Sequence, residues 1–165
     1  MDDEQHGTAL AQAVRLREEG TRQACEQLIA LSDRYPEDAA IAYQAAWAHD
    51  SLGLEAEAVP CYERALGAAG LSESERHGAL LGLGSTYRVL GRYESSLRTL
   101  RRGLEEFPGD AALRTFLAMA LYNVGESREA VRTLLQVTGE TSADPGVRKY
   151  RRAVGYYADH LDETP

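Results

Sequence analysis

The stretch from Leu81, LGLGSTYRVLGRYESS, contains the residue types most suggestive of chemistry in this chain. Gly82, Gly84, Ser85 and Thr86 together resemble a phosphate-binding loop. A dinucleotide loop would place its third glycine at position 87, where Tyr87 stands, and a P-loop would follow Gly84 with a lysine, which is missing. No strand pattern precedes the stretch, so these glycines read as helix-packing residues rather than as a phosphate site. The four histidines, His6, His49, His77 and His160, form no HExxH or other paired spacing. Cys25 and Cys61 lie far apart without CxxC spacing, which suggests neither a zinc site nor a disulfide framework. The serines near glycines do not make GxSxG. Carboxylates such as Glu55 and Glu57, or Glu105 and Glu106, read as solvated charges rather than an acid/base pair. The expectation is no catalytic residue, no metal and no cofactor.

Bulk properties narrow the class further. The chain has 165 residues, enough for one domain with a real core. A net charge of -8 argues against nucleic-acid binding, which needs a basic footprint. The opening MDDEQHGTAL is acidic and lacks an apolar core, so no signal peptide is expected, and no apolar run reaches membrane-spanning length. A cytoplasmic, reducing location fits the two unpaired cysteines.

The elements that must position these residues emerge when the chain is compared with itself. Gly91 and Gly125 stand one repeat period apart, about 34 residues, and each is followed by a similar apolar pattern. Gly53 precedes Gly91 by that period plus a short insertion. The insertion fits at Ser72 to Glu75, a polar loop and helix-start signal. Pro36 in RYPEDAA matches Pro108 in EFPGDAA. The units become residues 5–38, 39–72, 77–110 and 111–144. Within the third, Leu80, Leu83, Gly84 and Tyr87 mark one helical face, and Leu97, Leu100 and Leu104 mark another. The turn at Gly91 suits a positive φ. Residues 145–161 open with Asp144 as N-cap and Pro145 at the first helical position. Val147, Tyr150, Ala153, Val154, Tyr157 and Leu161 then predict one capping helix over the open end of the stack. Pro60, inside a second helix, predicts a bend or a late start there.

The order Leu80-x2-Leu83-Gly84-x2-Tyr87, then Ser96-x3-Leu100, Gly103 and Pro108, resembles the tetratricopeptide repeat (TPR), which has this same period. The second unit fits with Ala42, Ala45, Ala46, His49, Ala58, Tyr62 and Ala65. The fourth fits with Leu117, Ala118, Leu121, Ala130 and Leu134, although Arg114 replaces the usual large residue. In the first unit only Ala24, Leu28 and Pro36 are clear. HDSLGLEAEAVPCYERAL also resembles small bacterial TPR proteins of group 5, whose function is not defined. The resemblance implies an all-α fold, a right-handed superhelical stack of antiparallel helix pairs: four units plus the capping helix, one domain over residues 1–165. At Gly84 it implies the closest packing of two helices. At His49 it implies a packed or hydrogen-bonded histidine, and at Cys25 and Cys61 buried small hydrophobes.

The resemblance further implies a concave groove lined by the first helix of each unit. Its candidate peptide-binding residues are Tyr43, Gln44, Trp47, Asp50, Ser85, Arg88, Phe116, Met119, Tyr122 and Asn123. Gly82 falls on the same side, where alanine should be near neutral. Two readings stay open for the aromatics: they bind a partner, or they complete the core between neighbouring first helices. The basic run RKYRR adds Arg148, Arg151 and Arg152, either as an anchor for a carboxylate of the bound segment or as a solvated face. The lysine and asparagine clamp of chaperone-binding relatives is missing. The expected function is therefore a non-enzymatic scaffold that holds a peptide segment of a partner protein. The alternative is a structural protein that self-associates as a homodimer through exposed apolar surface. Neither nucleic acid nor membrane is an expected partner.

Overall fold

The structure, a computed structural model, describes residues 3–163, with only the backbone of Asp3 and Glu4. Met1, Asp2, Thr164 and Pro165, the ends of the single domain expected over 1–165, lie outside the described residues. The described residues form helices only. They are α1 (Asp3–Glu19), α2 (Arg22–Arg34), α3 (Ala39–Ser51), α4 (Glu55–Gly67), α5 (Glu73–Val89), α6 (Tyr93–Glu106), α7 (Ala111–Asn123), α8 (Ser127–Thr141), α9 (Pro145–Lys149) and α10 (Arg151–Asp159). They belong to two compact units, Met1–Arg92 and Tyr93–Pro165. In the first, α1 packs on α2 and α3, α3 on α4, and α5 on α3 and α4. In the second, α7 packs on α6 and α8, and α8 on α9 and α10.

The repeat is written in its caps and turns. Asp38, Ser72, Asp110 and Asp144 recur at the repeat spacing, stretched only by the insertion after Ser72, and each N-caps the helix that follows. Ser72 forms a full capping box with Glu75. The turns at Gly53, Gly91 and Gly125 have φ of 70°, 71° and 88°, where only glycine is unstrained. The residue after each glycine donates its N–H five residues back, to His49, Tyr87 and Leu121, closing the same helix end three times. The inserted residues do not form a loop. Ser72 alone stays outside the helix, and the insertion becomes one extra turn, making α5 17 residues against 13 for α3 and α7. Pro60 does not delay α4, which begins at Glu55 and continues to Gly67.

In the first unit the core is tight where the sequence is small. Ala42, Ala45, Ala46, Ala58 and Ala65 are wholly buried with Leu28, Ile41 and Leu80. Each large side chain there stabilises the fold by about 1.5–3 kcal/mol. Gly84 is buried within α5, so the stretch that resembles a phosphate loop is helix. Two other glycines of α5 lie against tyrosine rings. A Cβ on Gly78 would lie 2.2 Å from Tyr43 Oη, and one on Gly82 would lie 2.4 Å from Tyr62 Oη and 2.5 Å from its Cζ. Gly82 therefore receives a ring, and alanine there is not neutral.

In the second unit, Gly103 gives the same kind of room to the buried Leu113, whose Cδ2 would lie 2.9 Å from an added Cβ. Arg114, out of place by the repeat pattern, forks onto Glu140 and so ties α7 to α8. The capping segment differs from expectation. It breaks at Tyr150, the C-cap of α9 and the N-cap of α10, with φ -101° and ψ 7°. Tyr150, Ala153 and Tyr157 are exposed, while Ala158 is buried and Val147, Val154 and Leu161 are half-buried. The break rotates the stripe. α10 then docks on one flank of α8, where Val154 meets Gly139 and Arg132 Nε pairs with Asp159 at 2.7 Å. Arg128 Nε pairs with Asp162 at 3.0 Å. The remaining face of α8 keeps Val131 and Leu134 exposed, so α10 leaves that part of α8 uncovered.

Candidate functional site

The candidate residues of the first unit divide by burial. Tyr43 and Gln44 sink into the core, whereas Trp47 is 42% exposed. Trp47 is held on one side by Tyr43, with ring centroids 5.8 Å apart. The Arg17 guanidinium covers it at 4.2 Å from the ring centroid, an arrangement worth ~0.5–1 kcal/mol at a partly exposed site. Arg17 also pairs with Glu18 at 3.1 Å. Sequence reasoning missed Arg17, although it closes α1 at the position Ser51 occupies in the next unit. Tyr43 continues into the core through Tyr62, 6.4 Å away between centroids. Burial pushes the phenols of Tyr43 and Tyr62 up, so both remain protonated donors.

Asp50 has another occupation. Its Oδ1 accepts from Thr86 Oγ1 at 3.0 Å and its Oδ2 from Tyr62 Oη at 3.2 Å, joining α3, α4 and α5. Burial raises its pKa, and the two hydrogen bonds oppose that rise. Ser85 and Arg88 are half-buried on α5. Two polar atoms among these candidates, Gln44 Oε1 and Arg88 Nε, are buried and make no hydrogen bond among the described residues.

His49 is half-buried, its Nδ1 4.0 Å from Cys61 Sγ. Burial lowers the pKa of the imidazole and raises those of Cys61 and Cys25, leaving two buried, protonated free thiols. His49, Cys25, Arg22 and Leu54 border a cleft of about 310 Å³. No group of three or more His, Cys, Asp or Glu among the described residues could hold a metal ion.

In the second unit Phe116 is half-buried, while Met119, Tyr122 (67% exposed) and Asn123 are open. Arg148, on α9, and Arg151 and Arg152, on α10, are all exposed. Arg151 adds its charge to that of Arg114 beside Glu140, whose carboxyl is held below the usual range, chiefly by the Arg114 bonds. Tyr150 and Tyr157, beside these arginines in the sequence, are exposed as well.

The helix pairs, their shared caps and their common period are matched by an independent comparison: the family model described as Tetratrico peptide repeat matches residues 39–161. The chain belongs to the tetratricopeptide repeat family. No curated protein gives a significant match. TPR membership suggests a protein–protein interaction scaffold, a role that is typically non-enzymatic, and TPR domains generally bind protein partners. Among the described residues of this TPR chain, no helix is long and apolar enough to cross a membrane.

Proposed function

We propose that this TPR chain binds a peptide segment of a partner protein on the first-helix faces of its repeats, with Trp47 as the main anchor. The observation that supports this is the Arg17–Trp47–Tyr43 arrangement. A large ring is presented to solvent yet fixed by a cation above it and a buried ring beside it. Tryptophan and arginine are the residues that most often dominate interface energetics, and a ring fixed beforehand loses little entropy on binding. An apolar side chain of the partner would pack on the open part of Trp47, with an acidic neighbour near Arg17. Within Tyr93–Pro165, taken by itself, Met119, Tyr122 and Asn123 are proposed as a separate contact surface, with Phe116 partly in the core. Asp50 supports the site through Tyr62 and Thr86 rather than touching the segment. Arg148, Arg151 and Arg152 stay as a proposed anchor for carboxylates, and the net charge of -8 makes an otherwise neutral or basic segment the better fit.

Panning a displayed random-peptide library on the full chain supplies a defined probe. Selected peptides should lose about tenfold or more in affinity for Trp47→Ala, and less for Tyr122→Ala. The Arg148→Glu/Arg151→Glu double variant should weaken acidic peptides and flatten their salt dependence. Peptides that bind wild type and Trp47→Ala equally would move the site off this face, and unchanged binding by the double variant would remove the anchor.

A further inference from the structure

The repeat allows the same position to be compared in four places. Cys25, Val59, Leu97 and Val131 are equivalent by the repeat spacing, as are Leu28, Tyr62, Leu100 and Leu134. In the first three repeats every one of these side chains is 5% exposed or less. In the fourth, Val131 is 44% and Leu134 39% exposed. What covers the earlier copies is the first helix of the following repeat: α3 lies on α2, α5 on α4 and α7 on α6. α10 does not replace it. Its contacts with α8 run through Arg132, Gln136 and Gly139, which at roughly 100° per residue lie on the opposite flank from Leu134.

The other end of the chain carries the counterpart. On the covering helices, Ile41, Ala79 and Leu113 are wholly buried against the preceding second helix. The equivalent residue of α1 is Gly7, which is exposed, with no atom of the described residues within 4 Å of the place of its Cβ. Ala11 is exposed where Ala45 and Leu83 are buried. A shallow furrow of about 530 Å³ runs along this face past Gly7, Ala11 and Arg15.

We infer that the uncovered α8 face of one copy docks the uncovered α1 face of a second copy, head to tail, repeating the contact already made three times within the chain. The internal contacts give the register. Gly82 lies against Tyr62, so Leu10 of the second copy lies against Leu134; Leu113 lies against Gly103, so Gly7 lies against Val137. Large meets small at the second pair, as it does inside the chain. Such an interface uses different surfaces on the two copies, so it does not close into a two-fold dimer, and assembly proceeds beyond two. This differs from a homodimer through one shared patch, and it is independent of the peptide-binding reading.

Sedimentation velocity on the full chain, from micromolar to about millimolar concentration, tests it. The expected result is an average mass that rises with concentration past twice that of the chain. Leu134→Glu and Ala11→Glu, both at exposed positions and checked for helicity by circular dichroism, should each weaken assembly by about tenfold or more by burying an unpaired charge. Each variant keeps one end intact, so an equimolar mixture should form a 1:1 complex and stop there. A wild-type chain that stays monomeric throughout, or that stops at a dimer, overturns the inference. So does a mixture of the two variants that fails to pair.

Discussion

Glycine 82 shows how a single atom decides the sign of a substitution. Helix propensity favours Gly82→Ala by about 1 kcal/mol, which is all the sequence exhibits. The Tyr62 ring occupies the space, and Asp50 holds its hydroxyl, so the ring cannot yield as a free tip would. Gly82→Ala should therefore destabilise the chain by ~1–3 kcal/mol in urea unfolding, and Tyr62→Leu should make the second substitution cheaper than the sum. Strict additivity would contradict the contact. Asp50 gives a pH test. Burial raises its folded pKa from the ordinary Asp value, so the folded chain binds this proton more tightly than the unfolded chain. Its contribution therefore falls as pH rises through that window. The stability of Asp50→Asn relative to wild type should rise as pH climbs above the ordinary Asp pKa of about 4, because the amide carries no such penalty. A relative stability that falls with pH would mean that the charged form is the better held one. The sequence could place Asp50 near the partner face but not count its hydrogen bonds, because Tyr62 and Thr86 are 12 and 36 residues away.

At the level of elements, local signals carried most of the information. The Gly53, Gly91 and Gly125 turns were legible because a left-handed residue after a helix has few sequence solutions. Asp144 and Pro145 were legible as a helix start for the same reason. What was not legible depended on tertiary choice. The insertion at Ser72 to Glu75 could be a loop or a turn of helix, and the capping box selects the helix. The stripe from Val147 to Leu161 presumed one straight helix, whereas Tyr150 divides it and α8 offers the notch at Gly139. Two substitutions test these assignments by chemical denaturation. Ser72→Ala should cost about 0.5–2 kcal/mol through loss of the cap on α5. Gly125→Ala should cost about 1–2 kcal/mol because its φ of 88° disfavours any Cβ. A Gly125→Ala chain as stable as wild type would refute the left-handed turn.

For the molecule as a whole, the repeat period identified both the helix pairs and the family, since it survives in caps, turns and small core residues alike. The period could not say which groove candidates are open to a partner. Tyr43 and Trp47, one helical turn apart, look alike in sequence, yet one is buried and the other exposed. That difference makes Trp47, the chain's only tryptophan, both the proposed anchor and its own reporter. The measurement that bears most directly on the proposed function is a titration of wild-type chain with a library-selected peptide, following Trp47 emission, beside calorimetry of the same peptide with Trp47→Ala. The expected result is a saturable emission change in wild type whose midpoint matches the calorimetric affinity, with that affinity at least about tenfold weaker in Trp47→Ala. Tight binding with unchanged emission and an unaltered affinity in Trp47→Ala would contradict it.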